Sequence, residues 1–515
     1  MLKNMRVLFT ALTVFIVSGM MYTHFQTEAI ETGEMESIVE ASFPVAPGIH
    51  HMSETLVGDD FINSTQMLEV DLTREDVEVV PYLKGGEVFG LNRVGEMIDD
   101  LREQGKEVVA GVNGDFFSYV GVPSGLQIRD GEVYTSPRNM KASLLIYPDR
   151  TIKMEDGIQM TATLTTAHGE TLEFNMFNRT RVPSHSNHAF LFNYRFGATT
   201  YTPPNGLEII VDVGIGNDHV VAGQPVSGEV VRMEETYETP LERGTFVISA
   251  TGEKAKWLEE HLTLGDIVDI KVTYNKDVND AVHVLSGNST LGTLLLKEGE
   301  VVDHLLDESD PNNTAKHPRT VLASRDGKLF MMTIDGRQPG HSDGVTLPGI
   351  AQYLQSLGME MAMNIDGGGS TTYYVRQPGD KNPHLMNLPS DQHERPVGNG
   401  LLVVTHAEKT DHLAGMNLVT DGSDHLVKGS SMRMFTKGYD ASYFPVEVEP
   451  KDVRWKVEGN IGTIDKSGLF QATQVGEGVI IAETGGIQAK YSVKVTDAVH
   501  KLEISPHHFV MDHNA

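Results

Sequence analysis

The chain has 515 residues, with 41 Lys and Arg against 71 Asp and Glu, a formal charge of −30, and no cysteine. Its length implies two to four domains, and 39% hydrophobic with 22% charged residues is a globular composition able to bury a core. The acidic balance excludes nucleic acid, whose affinity rests on cationic side chains against phosphates; the missing thiols exclude a cysteine nucleophile, thiolate zinc sites and disulfides.

At the N-terminus, Lys3 and Arg6 precede an apolar run from Val7 to Met21 and a polar stretch with Thr27, Glu28 and Ala29. That is the order of a secretory signal peptide, expected over 1–29. The run is short of the roughly 20 apolar residues of a membrane span, so an uncleaved anchor is the alternative and no later segment spans. A secreted chain without disulfides fits a bacterial extracellular or cell-surface protein. Residues 30–50, Glu-rich and then Phe43-Pro44-Val45-Ala46-Pro47-Gly48, read as a linker.

Residues 51–408 read as an α+β catalytic domain with a mixed or antiparallel sheet and few helices. Short β-rich runs dominate it, such as Thr65–Val70, Val77–Tyr82 and Lys141–Tyr147. One helix is expected over Leu91–Glu103, with Leu91, Val94, Ile98 and Leu101 on one face and Gly105 as its stop. A second is expected over Leu347–Leu357, with Pro348 in its first turn and Gly358 as its cap. Each leads into an apolar strand, Glu107–Val112 and Met359–Met363, and each strand ends in Asn-X-Asp: Asn113-Gly114-Asp115 and Asn364-Ile365-Asp366. Strand residues two apart share a side, so each end offers an amide and a carboxyl together at one edge.

The densest polar sequence lies between 317 and 400. Gly367, Gly368 and Gly369 let the backbone turn sharply and aim N–H groups at an anion, with Ser370 and Thr371 as further donors. It is no P-loop, because no Lys follows. Arg319, Arg337 and Arg395 each sit beside a strand end or a Pro/Gly turn, where a guanidinium fork suits phosphate; the alternative is that each pairs a neighbouring carboxylate, such as Asp335 or Glu394. The histidines show no metal-site spacing; His50, His51, His185 and His188 read as solvated loop residues. No metal is predicted, although Asp115, Asp335 and Asp366 carry oxygens of the kind that bind Ca²⁺ or Mg²⁺.

From residue 412 to 497, short strands (Val453–Val457, Gly462–Ile464, Gly468–Ala472, Gly478–Glu483, Ala489–Val495) separated by Gly-rich turns carry the pattern of a β-sandwich. The segment resembles bacterial immunoglobulin-like modules. Residues 498–515 look like the start of a second such module.

Taken together, Asp335-Gly336-Arg337-Gln338-Pro339-Gly340, the helix after it and Asn364-Ile365-Asp366-Gly367-Gly368-Gly369-Ser370 resemble the phosphodiester glycosidase family. Asn113-Gly114-Asp115-Phe116-Phe117, Asn178–Arg181, Phe196–Thr200, Arg319-Thr320 and Glu394-Arg395-Pro396-Val397 also match, so the likeness spans roughly 105–405. The resemblance implies an α-N-acetylglucosaminidase-like hydrolase that releases a sugar from a sugar-1-phosphate diester of an extracellular or cell-envelope glycan. It implies that Arg319, Arg337 and Arg395 hold the phosphate, with N–H groups around Gly367–Ser370. Asp115 and Asp366 are then the carboxyl candidates, with Asp335 third, and Asn113 and Asn364 orient sugar hydroxyls or those carboxyls. Which carboxyl attacks is left open, since retaining and inverting spacings differ only in space. Two other readings stand beside this one: a non-catalytic surface glycan binder, and a metal-dependent phosphodiesterase cleaving P–O.

Overall fold

The computed structural model describes residues 35–497 except 139–141, 288–292 and 308. The expected signal peptide and the strand expected after residue 498 fall outside these residues. Contacts divide the chain into two compact units: one runs to Gln377 and resumes over Asn382–Ala407, the other takes Pro378–Lys381 and residues from Glu408 onward. No helix among the described residues is long and apolar enough to cross a membrane.

The larger unit is built mainly on antiparallel pairs, and two of its three ten-residue helices among the described residues explain how two of its sheets stack. In one sheet Val108–Asn113 runs between Tyr373–Val375 and Gly400–Thr405. In another, Met361–Asn364 and Lys328–Ile334 flank Arg319–Arg325. Alternation, shifted by a bulge at Val109, assigns the faces: Leu322, Leu329, Met331 and Met363 meet Val109, Val112, Leu401 and Val403 in one shared core. Their neighbours along each strand point away, Val321, Phe330, Met332 and Ala362 against the helix Leu347–Ser356, and Val108, Leu402 and Val404 against the helix Val94–Glu103. The order is therefore helix, sheet, sheet, helix. Each residue in the central strands buries one face or the other, which is why these strands read as near-continuous apolar runs.

Both helices have legible ends. Thr346 caps the second by accepting the Gly349 N–H at 3.1 Å, Pro348 fills its first turn, and Gly358 leaves it at φ +73°. The first begins at Val94 and not at Leu91: the Glu96 carboxylate accepts the Arg93 N–H at 3.1 Å, and Leu91 is exposed ahead of it.

The linker expected over 30–50 is not one where it is described. Met35–Ala46 is a strand paired with Ile49–Gly58, turning through Pro47 and Gly48 (φ +76°) at the edge of the eight-stranded sheet. Pro-Gly pre-sets a tight turn, and a mostly exposed edge strand tolerates the polar residues that imitate a linker.

A further eight-stranded sheet, from Thr171–Phe174 to Met176–Phe177 in spatial order, encloses its own core around Phe177, Leu191, Ile209, Phe246 and Ile248. The smaller unit is a β-sandwich of a five-stranded and a four-stranded sheet around Met432, Phe470, Ile480 and Val493.

Candidate active site

The two Asn-X-Asp segments leave different sheets and meet. Asn113 is buried and donates through Nδ2 to the Asp366 carbonyl at 2.7 Å; its Oδ1 accepts from Thr320 Oγ1 at 2.8 Å and from the Thr372 N–H at 3.1 Å. The Asp366 N–H in turn donates to the Gly114 carbonyl at 3.2 Å. One amide thus ties together three segments far apart in sequence. Asn113 is a bracket of the loops, not a ligand for sugar hydroxyls. Asn364 is likewise buried, and its Nδ2 donates to the Ile365 carbonyl at 2.9 Å.

Asp115 is buried, and its carboxyl accepts the Gly125 N–H. Its own N–H donates to Asn399 Oδ1 at 2.8 Å, while Asn399 Nδ2 donates to Gln127 Oε1 at 2.6 Å. Asp366 keeps a partial opening to solvent at the start of the glycine turn. Packing around it nevertheless raises its pKa to about 7, because burial penalises the ionised form more than the Ser370 hydroxyl, the Arg395 charge and the Gly367 N–H favour it. The Ser370 hydroxyl lies close enough to act on that charge without a hydrogen bond of good geometry. A carboxyl surrounded on most sides yet open at one end reconciles a large shift with residual exposure.

The glycine turn is a single 3₁₀ turn over Gly368–Ser370. Two of the N–H groups expected to face an anion are used inside the fold: Gly368 donates to the Pro318 carbonyl at 2.9 Å and Ser370 to the Gly367 carbonyl at 3.2 Å. What the glycines give is close approach. Gly368, at φ +61°, lies 3.3 Å (measured from where a Cβ would stand) from both terminal nitrogens of Arg337, and a side chain at Gly369 would collide with Arg395 and Asp391.

The three arginines therefore differ. Arg319 is buried, turned inward to the Val345 carbonyl at 3.1 Å and the Ala315 carbonyl at 3.0 Å, and burial pulls its pKa down to about 10. It fastens the chain at Ala315 to the chain at Val345 and does not face a ligand. Arg395 reaches the turn but pairs with Asp391 at 2.7 Å, whereas Glu394 instead accepts from the Gly95 N–H and Tyr374 hydroxyl. Arg337 is exposed, contacts His317 Nδ1 at 3.1 Å, and among the described residues forms no ion pair. Asp335 is also a structural hub: its carboxyl takes Asn387 Nδ2 at 3.0 Å, the Leu388 N–H at 2.9 Å and His341 Nε2 at 2.9 Å. A buried carboxyl with that many partners anchors the loop instead of meeting substrate.

Some residues of the site carry no signal in the sequence. His51 is not a solvated loop residue: it is buried in a strand and hydrogen-bonds the Tyr373 hydroxyl at 2.9 Å. Arg179, carried by the Asn178–Arg181 stretch without a role, is buried next to Asp115. Asn178, at φ +49°, brackets it through the Tyr134 carbonyl and Asn193. Glu78, Asp130 and His283 bring three metal-type ligand atoms within 4.8 Å of one another. Lys106 at 3.6 Å and His406 at 2.9 Å crowd Glu78, and Arg129 lies 3.4 Å from Asp130, so the local charge disfavours a cation.

Residues 217–404 match the family model of the phosphodiester glycosidases. No curated protein matches the chain. Among solved structures, a hypothetical protein from Synechocystis aligns with a TM-score of 0.57 at 17% identity, over 72% of this chain and 64% of that one. A putative exported protein from Burkholderia pseudomallei aligns with a TM-score of 0.53 at 21% identity, over 67% of this chain and 74% of that one. The zebrafish N-acetylglucosamine-1-phosphodiester α-N-acetylglucosaminidase catalytic domain, auto-inhibited by its pro-peptide, aligns at 16% identity with a TM-score of 0.36, over 73% of this chain and 89% of that one. The first two likenesses concern the fold.

Proposed function

We propose that this chain, whose residues 217–404 match the phosphodiester glycosidase family, hydrolyses the glycosidic bond of a sugar-1-phosphate diester in an extracellular or cell-envelope glycan. The observation that carries this reading is Asp366: a carboxyl with a pKa near 7 at the head of a turn flanked by Arg337 and Arg395. A group that titrates near neutral pH can take and return a proton under working conditions. The cations beside it suit the departing phosphate, whose negative charge grows as the bond breaks.

In this reading water attacks the anomeric carbon and the bond from that carbon to the bridging oxygen breaks. The phosphomonoester leaves with the oxygen and the electron pair, and Asp366 accepts the proton of the water. Arg337 takes the phosphate directly, Arg395 supports it while held by Asp391, and Asp115 stabilises positive charge developing on the ring. A phosphate is already a good leaving group, so the reading requires no strong acid opposite Asp366. The signal peptide expected at 1–29 would deliver the enzyme outside a bacterial cell, and the sandwich, proposed to be an immunoglobulin-like spacer, would hold it near its glycan.

Product analysis tests this. With a synthetic N-acetylglucosamine-1-phosphate diester, free sugar and a phosphomonoester are expected, unaffected by chelators. A sugar phosphate as product, or binding without turnover, would refute the reading.

A further inference from the structure

Behind the Asp115 loop lies a cavity of about 300 Å³, a volume at the lower end of small-ligand pockets. Its lining includes Tyr119, Arg138, Arg179, Thr180, His185 and Phe190, and no carboxylate. In a chain of net charge −30 that is a local inversion of sign.

Arg179 is the most telling member. It is only 3% exposed, and its Nε and Nη2 donate to the Ser136 and Gly125 carbonyls, both at 2.6 Å. Its Nη1 takes no hydrogen-bond partner among the described residues, although the side chain lines the cavity. Keeping a guanidinium this deep is costly: burial lowers its pKa to about 9, the nearby Asp115 charge opposing the drop and the charge of Arg138 adding to it. The Thr180 Oγ1 is also buried without a partner. Arg138 is exposed at the mouth and forms no ion pair among the described residues. Tyr119, 83% exposed, provides flat apolar surface of the kind on which sugar rings lie. Hydrogen bonds connect the cavity to the site: Arg179 holds the Gly125 carbonyl, the Gly125 N–H holds the Asp115 carboxyl, and the Gly114 carbonyl holds the Asp366 N–H.

We infer that this cavity seats a sugar residue bearing an anionic group, phosphate or carboxylate, with Arg138 and Arg179 on the anion and Tyr119 against the ring. The inference rests on the proposed hydrolase reading and adds the charge that the enzyme requires on its sugar. A guanidinium nitrogen that takes no partner among the described residues is then a donor open to ligand, and an anion in the cavity adds to the compensation that Asp115 already gives.

Calorimetric binding to the full chain tests it, with N-acetylglucosamine 1-phosphate, glucuronate and methyl glucoside as probes. Arg138→Ala, at an exposed position, should raise Kd for whichever anionic probe binds by about tenfold and leave the neutral probe unchanged. Tyr119→Ala should weaken all three. Which anionic probe binds more tightly distinguishes phosphate from carboxylate. Equal affinity of Arg138→Ala and the parent chain for both anions, or no binding of either anion by the parent, overturns the inference. The two proposals fail separately. Anion binding lost in Arg138→Ala without diester hydrolysis by the parent removes the reaction and keeps the cavity. Asp366-dependent hydrolysis with an unchanged KM in Arg138→Ala removes the cavity and keeps the reaction.

Discussion

The same three-residue pattern, Asn-X-Asp, closes two strands of this protein and produces two different sites. In the first copy the amide is the worker: Asn113 braces three segments, and Asp115 is buried on the Gly125 N–H. In the second copy the carboxyl matters: Asp366 stays partly open with its pKa near 7, while Asn364 serves its own loop. The difference lies in the residues downstream of each strand. After Asp115 the chain folds over the carboxyl and donates to it; after Asp366 three glycines admit two guanidinium groups. Spacing alone places the side chains, and the next few residues decide what they can do.

The contrast should break most sharply in Asp366→Asn, which is expected to lower turnover about a thousandfold while leaving the fold intact, as read by sugar release and circular dichroism. Asp115→Asn failing to lower activity at all would leave the first copy purely structural. Next come the arginines. Arg337→Ala should cut kcat/KM by about a hundredfold with little change in Tm, since it leaves no carboxylate unpaired. Arg319→Ala should do the reverse, destabilising by on the order of 1–2 kcal/mol because the half-buried Ala315 carbonyl loses its guanidinium donor and the Val345 carbonyl loses one of two donors. If Arg319→Ala changes only activity, its inward orientation is wrong. Asn113→Ala should cost about 2–3 kcal/mol in denaturant unfolding, as a buried carbonyl, hydroxyl and N–H all lose their partner.

The weakest signal should come from stability against pH. The folded state holds the Asp366 proton up to about pH 7, whereas the unfolded chain releases it near the ordinary value of 3.8. Stability from this group is therefore full below the unfolded value and lost as pH rises toward 7. Asp366→Asn should flatten that decline and gain on the order of 1–2 kcal/mol at pH 8, partial solvent access limiting the figure.

Local features of the fold were readable in the sequence. Helical spacing and caps gave both helices, apolar runs gave the central strands, and the glycine run gave a turn at which two of the three arginines arrive. What was not readable depends on distant partners. Nothing near Arg319 or Asp335 announces the carbonyls, Asn387 or Leu388 that occupy them. The edge strand Met35–Ala46 looked like a linker because Glu36, Glu40 and Ser42 lie among its exposed residues and its turn is Pro-Gly. Arg179 stood within a stretch that matched the family, yet its burial beside Asp115 is set by Asn178 and Asn193.

Proton release measured as the difference between the parent chain and Asp366→Asn decides whether the glycine turn holds a proton-transfer group. A single extra proton released with a midpoint near pH 7 is expected. A midpoint near the ordinary carboxyl value would contradict it, leaving the glycine turn with a plain carboxylate and no group suited to moving a proton at neutral pH.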